Sequence, residues 1–415
     1  MRANDTSELL RYFAQAIKDA KSFLWLNYER LGIEIIREFI PEGLPEKKLD
    51  KLISKFPMEI PELRTLFKTV EKVELEWNLK DFIDRFSSIG KIDIPDLSVM
   101  TKNINDNSEY YWILDIESKT GELKFYSDLD ISKKDLKEFK KTLPKIYYFD
   151  VFADADAYTV LWFNEDKYGL AIVTDQGSKL EILPWSIAEY LTYLVQTLGL
   201  RYWQEIFLKR CEEGDFTCLI KEVLKDYDYT KENEESLLKL FEEYHQIVGH
   251  VPSVLLKSYI NLFGKTENLD KVRELVEREG ADPNVRFGDF NTPLTRAARV
   301  NDFALINLLL DLGANPDLRN AEGQSPLDIL LNRSKIDVPT LIRLVKGGAS
   351  LTPENVSEIL SKKVITRKKY AENPDMKILI EKMIELGENL DELIEAIRKI
   401  KDEDLLSKAE ARKKN

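Results

Sequence analysis

The sequence is poor in the residues that most often carry chemistry. Among 415 residues there are two cysteines, Cys211 and Cys218, and two histidines, His245 and His250. Two cysteines are too few for a disulfide framework, so they are expected as isolated core thiols in a reducing cytoplasm. Zinc would require all four residues to converge without the close ligand pairs that such sites show, so no metal is expected. No apolar run approaches the ~18 residues that cross a bilayer. The start, MRANDTSELLRYFAQ, has no cationic segment leading into an apolar run, so no secretory signal is expected. GxSxG, GxxxxGK[ST] and a strand followed by GxGxxG are all missing. No catalytic residue and no cofactor is assigned, and an enzyme is the least supported class.

What is present is an ordinary globular composition, 43% apolar and 33% charged, with enough length for two or three domains. The net charge of −13 is unevenly placed. Residues 1–40 and 251–415 each balance to zero, whereas 41–200 carry −8 and 201–250 carry −5. A field confined to one region repels nucleic acid and speeds the encounter with a basic partner; solubility alone needs less. One basic run, KKVITRKK at 362–369, has no interleaved aromatics and is expected as a solvated connection, not as a nucleic-acid site.

The C-terminal third is periodic. GADPN at 280–284 returns as GANPD at 313–317, and TPL at 292–294 returns as SPL at 325–327, both after 33 residues. Thr292 and Ser325 are placed to cap a helix, with Pro293 and Pro326 in its first turn. Gly313 falls where a second helix must end in a left-handed turn. TPLTRAARVNDFALINLLLDLGANPD resembles a complete ankyrin repeat, with Ala297 and Ala298 at its small-residue positions. Thr295 and Asp328 stand where that family has His, and Leu330 and Leu331 replace the paired alanines. The resemblance spans 251–390, with 252–264 as the first helix, and 391–415 is expected as a charged cap fraying into solvent. Such repeats bind proteins through their finger turns and inner helices. By motif position the contact residues are Asp289, Asn291, Arg299, Val300, Glu322, Gln324, Asn332 and Arg333.

The N-terminal 1–40 carry apolar residues at helical spacing and are expected as a helical segment. Residues 41–210 read as short helices entered at prolines, then strands: KVELEW, KIDIPDLSVM, YYWILDI, ELKFYSDL, IYYFDVFA, AYTVLWFN and YGLAIVTD. A charged helix, SKKDLKEFKKTL, interrupts them, and SIAEYLTYLVQTLGLRYWQEIFLKR closes the region, making it α+β. Its FPMEIPELRTLF, ELEW with Trp77, the hairpin IYYFDVFADADAYTVLWF and PWSIAEYLTYL resemble the SUKH superfamily. The acidic span 211–250 is expected to be a helical bridge to the repeats.

Asp150, Asp154 and Asp156 form the one acidic cluster that invites a metal or acid–base reading. The positions that follow do not continue a calcium loop, and ADADA fits the connection of a hairpin. The SUKH resemblance implies an immunity protein that occludes a basic toxin domain, commonly a nuclease, with Asp154 and Asp156 on the rim. The alternative is a general ankyrin scaffold with a regulatory SUKH-like domain. Either way the expected partner is a protein, and neither nucleic acid nor membrane.

Overall fold

The computed structural model of the chain describes residues 6–79, 88–103, 111–114, 123–126, 145–150, 158–164, 167–174, 179–225, 230–260, 266 and 268–414. They fall into two compact units, Met1–Gly249 and His250–Asn415. The first is α+β and the second is helical. No described helix is long and apolar enough to cross a membrane.

The first unit opens with α1 (Thr6–Asn27), which buries Tyr12, Phe13, Ile17, Ala20, Phe23 and Leu24 at three- and four-residue spacings. One stripe of the helix therefore faces the core. The helical reading of 1–40 fails after Gly32. That glycine takes a left-handed φ of +63°, and Ile33–Phe39 is a strand, β1. The spacing of Ile33, Ile35, Ile36 and Phe39 suits both periods, and the β-branched isoleucines settle it toward extended backbone.

After α2 (Glu46–Ile53) and α3 (Pro61–Thr69), β2 (Val73–Leu79) and β3 (Gly90–Ile94) complete an antiparallel sheet in the order β1-β2-β3. A short α4 (Leu97–Met100) follows, capped by Asp96. Next come a hairpin of β4 (Tyr111–Leu114) and β5 (Leu123–Tyr126), then the meander β6 (Lys145–Asp150), β7 (Tyr158–Asn164), β8 (Lys167–Thr174) and β9 (Lys179–Ile182). All pairings among the described strands are antiparallel. In two of them a tryptophan lies opposite a glycine, Trp77 against Gly90 and Trp162 against Gly169. A Cβ at Gly90 would stand 2.2 Å from the Trp77 indole nitrogen, and one at Gly169 2.9 Å from the Trp162 ring. The glycines leave room for rings that cover their strands. The charged stretch 132–143, expected as a helix, lies outside the described residues.

The closing segment 186–210 is two helices, α5 (Ile187–Gln196) and α6 (Trp203–Lys209), not one. Ser186 and Glu189 form a reciprocal cap at the start of α5. The break holds Leu198, Gly199 and Tyr202 at positive φ. It lays this turn on β3: the Lys91 N–H donates to Gly199 O (2.9 Å), and the Trp77 indole N–H donates to Leu198 O (3.0 Å). The span 211–250, expected as a bridge, packs into this unit instead. It forms α7 (Phe216–Leu224) and α8 (Lys231–Val248). The Tyr12 hydroxyl donates to Val248 O (2.9 Å), and the Phe23 and Tyr244 rings meet at 5.5 Å. The two cysteines, expected as isolated core thiols, form a Cys211–Cys218 disulfide with Cα atoms 5.9 Å apart. The α6–α7 turn brings them together, a juxtaposition that seven-residue spacing alone does not announce.

The second unit stacks helix pairs: α9 (Val251–Ser258) with α10 (Leu269–Glu277), α11 (Pro293–Val300) with α12 (Phe303–Asp311), and α13 (Pro326–Leu331) with α14 (Val338–Lys346). Beyond them lie α15 (Pro353–Ser361), α16 (Arg367–Glu372) and α17 (Met376–Leu386), then α18 (Leu390–Ile400) with α19 (Glu403–Lys414). Helices α11, α13, α15 and α18 make one row, and α10, α12, α14, α17 and α19 the other. The last pair does not fray: α18 buries Leu393, Ile394, Ile397 and Ile400, and α19 buries Leu405 and Ala409.

Candidate protein-interaction site

Each repeat builds its finger from local hydrogen bonds. Phe287 N–H donates to Asn291 O (2.9 Å), and Phe290 N–H donates to Phe287 O (2.9 Å). Thirty-three residues on, Asn320 N–H donates to Gln324 O and Gly323 N–H to Asn320 O, both at 3.0 Å. Arg286 closes the first finger onto Phe290 O (2.9 Å), and Arg319 closes the second onto Gly323 O (2.6 Å). Arg286 also reaches Arg319 O (2.9 Å) and so ties finger to finger.

The helices that follow start from three equivalent caps, Thr292 with Thr295, Ser325 with Asp328, and Thr352 with Asn355, each with proline at the first helical position. Thr295 and Asp328, which depart from the family's usual His, supply the reciprocal half of the cap in this chain. Asp328 also accepts from the Asn355 amide (2.8 Å) and pairs with Arg319 (3.1 Å). Burial pushes its carboxyl up, but Asn355, Ser325 and Arg319 more than offset this and leave it below the ordinary aspartate value.

The stack is also stitched by cations that donate to the carbonyl ends of the preceding pair. Arg333 reaches Arg299 O (2.6 Å), Lys362 reaches Leu331 O and Arg333 O (2.5 and 2.9 Å), and Lys382 reaches Val345 O (2.9 Å). Helix C-termini carry unpaired carbonyls and partial negative charge, so a cation there satisfies both. Lys362, expected in a solvated basic run, is one of these staples.

The eight residues assigned by motif position divide accordingly. Asp289 accepts from Asn291 N–H (3.2 Å) and pairs with Arg296 (3.1 Å). Asn291 is buried and accepts from the Thr295 hydroxyl (3.2 Å) and from Arg299 (3.4 Å). Gln324 exchanges hydrogen bonds with Asn320, Arg333 is a staple, and Val300 is half-buried. These five hold the repeat itself, whereas Arg299, Glu322 and Asn332 present exposed side chains. Motif position missed Arg286, Arg319 and Lys257. Lys257 is fully buried, donates to Arg286 O (3.0 Å) and lies 5.8 Å from the Phe287 ring centre, while the Arg296 guanidinium lies 3.3 Å from that centre. The recurrence of arginine at 286 and 319 after 33 residues was the signal available for the finger clamp.

In the first unit the acidic cluster separates. Asp154 and Asp156 lie outside the described residues. Asp150, expected within the strand IYYFDVFA, is the last residue of β6 and is buried at 6% exposure. It accepts from the Tyr190 hydroxyl (2.7 Å) and from Asp93 N–H (3.3 Å), and Tyr190 also meets Thr159 and Gln204 (both 2.8 Å). Burial pushes its carboxyl up to about 7, against the opposing pull of Tyr190. The nearby Lys91 and Asp93 pair with each other at 3.3 Å. The Asp150 network ties β3, β6, β7, α5 and α6 together and is a buried joint of the unit. Among the described residues, no group of three or more His, Cys, Asp or Glu side chains is arranged to hold a metal ion.

Residues 289–321 match the family model for the ankyrin repeat. The chain is 36% identical over 77 residues to a human ankyrin repeat and SOCS box protein 11, covering 19% of this chain and 23% of that protein. It is 35% identical over 74 residues to a Caenorhabditis elegans homolog of the transient receptor potential cation channel subfamily A member 1, covering 18% of this chain and 6% of the channel. It is 26% identical over 163 residues to an ankyrin repeat protein of Rickettsia bellii, covering 36% of this chain and 47% of that protein. The chain thus spans less than half the length of each of these relatives. Its second unit contains an ankyrin repeat, a module of protein–protein interaction.

Proposed function

We propose that this protein is an interaction scaffold whose ankyrin repeats hold a protein partner. The carrying observation is the paired finger at 286–291 and 319–324, closed by the same backbone bonds and arginine clamp after 33 residues, with Glu322 exposed on the second finger and Arg299 and Asn332 exposed at the ends of the helices that follow. Arg299 also donates to Asn291 (3.4 Å), and a side chain held before binding costs less to order on binding. In this reading the first unit is a SUKH-like regulatory platform acting in the cytoplasm. The test is quantitative affinity capture with the whole chain against an Arg299→Glu, Glu322→Lys, Asn332→Arg triple variant of unchanged circular dichroism. Partners that bind both proteins equally would remove the repeats from the function.

A second reading has its own support in the charge distribution, since all of the −13 falls within 41–250. There the first unit captures and occludes a basic toxin domain, and electrostatic steering speeds the encounter. Deleting 251–415 separates the two readings. Protection against a toxin would survive the deletion, whereas scaffold binding would vanish.

A further inference from the structure

We propose that the Cys211–Cys218 disulfide is a thiol–disulfide exchange site that sets whether Glu213 stays seated over an aromatic cluster of the first unit, in which Trp185, Trp203 and Phe207 are buried. The bridge closes the turn between α6 and α7, and this turn carries Glu213. The Glu213 carboxylate accepts from the Trp185 indole N–H (2.8 Å) and from the Tyr193 hydroxyl (2.7 Å). Beneath it, Trp185 stacks on Trp203 with ring centres 5.5 Å apart, and Tyr193 packs against Trp185 (5.5 Å) and Phe207 (6.0 Å). Glu213 is therefore a clasp laid across the edge of an aromatic cluster. The Tyr193 phenol is held well above its ordinary value by burial and then by Glu213, so this clasp stays closed over the ordinary pH range.

The disulfide is the one covalent tie of the clasp, whose flanks are also joined by the Arg210–Glu222 ion pair (3.5 Å) and by the Phe216 ring, 4.0 Å from that of His245. Glu212, Glu213, Gly214 and Asp215 are exposed and bring no apolar side chain to anchor the turn. Gly214 sits in the left-handed region at φ +85°. The hydrogen bonds of the turn include Asp215 N–H to Glu212 O (3.1 Å), Phe216 N–H to Gly214 O (3.1 Å), Cys211 N–H to Ile206 O (3.0 Å), and the cap from Cys218 N–H to Asp215 Oδ1 (2.9 Å). Both cysteines are half-exposed, which lets an external thiolate approach.

The chemistry balances with a dithiol as reductant. Its thiolate attacks Cys211 Sγ, the S–S bond breaks, and Cys218 leaves as a thiolate. Cys218 is the third residue of the nine-residue α7, where the positive end of the helix dipole favours a thiolate. The reductant's second thiol then displaces Cys211 and closes the reductant's own disulfide. Two electrons and two protons pass to the cysteine pair, and the freed turn unseats Glu213 from Trp185 and Tyr193. The inference does not rest on the scaffold reading.

The test uses the whole chain and dithiothreitol, without denaturant. Air-oxidised protein unfolded in denaturant should show no free thiol, and dithiothreitol should release two. On reduction of the native protein, tryptophan emission should shift to the red with unchanged far-UV circular dichroism. The shift should be lost in Trp185→Phe and reproduced without reductant by Glu213→Ala. Cys218→Ser should resemble the reduced protein. Three results would overturn the proposal: free thiols in the air-oxidised chain, thiols released only in denaturant, or thiols released with no emission change assigned to Trp185. In the last case the bridge is a staple and not a latch.

Discussion

The two units reach a defined fold by opposite routes. In the second, most of the specifying contacts lie within one repeat or between neighbours about 33 residues apart, as in Arg286 to Arg319. In the first, the decisive contacts cross long stretches of chain, as in Trp77 to Leu198 and Tyr12 to Val248. All six tryptophans lie in the first unit, so tryptophan emission reports that unit alone while far-UV circular dichroism reports both. The contrast can be broken one unit at a time.

The largest effect belongs to Gly199→Ala. The glycine sits at φ +63°, and a Cβ there would stand 2.0 Å from Lys91 O, which is backbone and cannot swing away. Strain and clash add, and the expected loss is about 4 kcal/mol. The tryptophan-monitored unfolding midpoint should collapse while the helical signal of the repeats persists. Gly313→Ala is the control in the other unit. It shares the left-handed φ, +88°, but nothing lies within 4 Å of its Cβ position. Conformational strain alone should cost about 1 kcal/mol, read in circular dichroism with tryptophan emission unmoved.

Asp150→Asn probes the long-range joint by pH. The folded-state carboxyl sits at about 7, above the ordinary aspartate value of about 4, so between those pH values the folded state holds a proton that the unfolded state has lost. Stability from this group is therefore full below about pH 4 and falls as pH rises toward 7. Lys91 and Asp93, which face it, form an ion pair of their own. Asparagine keeps the shape and cannot ionise. The variant should flatten the decline between about pH 4 and 7 and gain on the order of 2 kcal/mol at pH 8, after discounting for relaxation of the site. An unchanged pH slope in urea titrations followed by tryptophan emission would mean that the carboxyl is not the titrating group.

The same contrast governs what was legible. Proline at 293 and 326, the capping Thr292 and Ser325, and Gly313 each act on the backbone next to them, so their recurrence revealed the repeats. The β6–β7 hairpin was legible because its strands are consecutive runs rich in aromatic and β-branched residues. The place of Asp150 was not, because its burial depends on Tyr190 and Asp93, 40 and 57 residues away. β1 was missed because its isoleucines suit two periods and its strand partner, β2, lies beyond two intervening helices. Of the site residues, Asn291 and Arg333 sit at contact positions of the motif yet are drawn inward by Thr295 and by Arg299 O, partners set by the packing of the folded repeats.

The smallest effect tests whether two fingers of one geometry are equally relaxed. Phe290 and Gly323 occupy the same finger position, at φ +58° and +74°. Glycine adopts that region freely, whereas a bulky residue does so at a cost of roughly 1–2 kcal/mol. Phe290→Gly should remove that strain but add about 0.5–1 kcal/mol of unfolded-state entropy. A net gain of about 0.5 kcal/mol is expected, read as a higher midpoint in circular dichroism. Phe290→Asn separates the two terms, because asparagine tolerates the left-handed region without the entropy of glycine, and should gain slightly more. Gly323→Phe should lose about 1 kcal/mol by the reverse argument. If Phe290→Gly instead loses stability, the ring contributes packing worth more than the strain, and the first finger is held by its side chain where the second is held by its backbone. If the gain appears together with weaker capture of a partner, the strain is kept for binding, as strained backbone at contact sites often is.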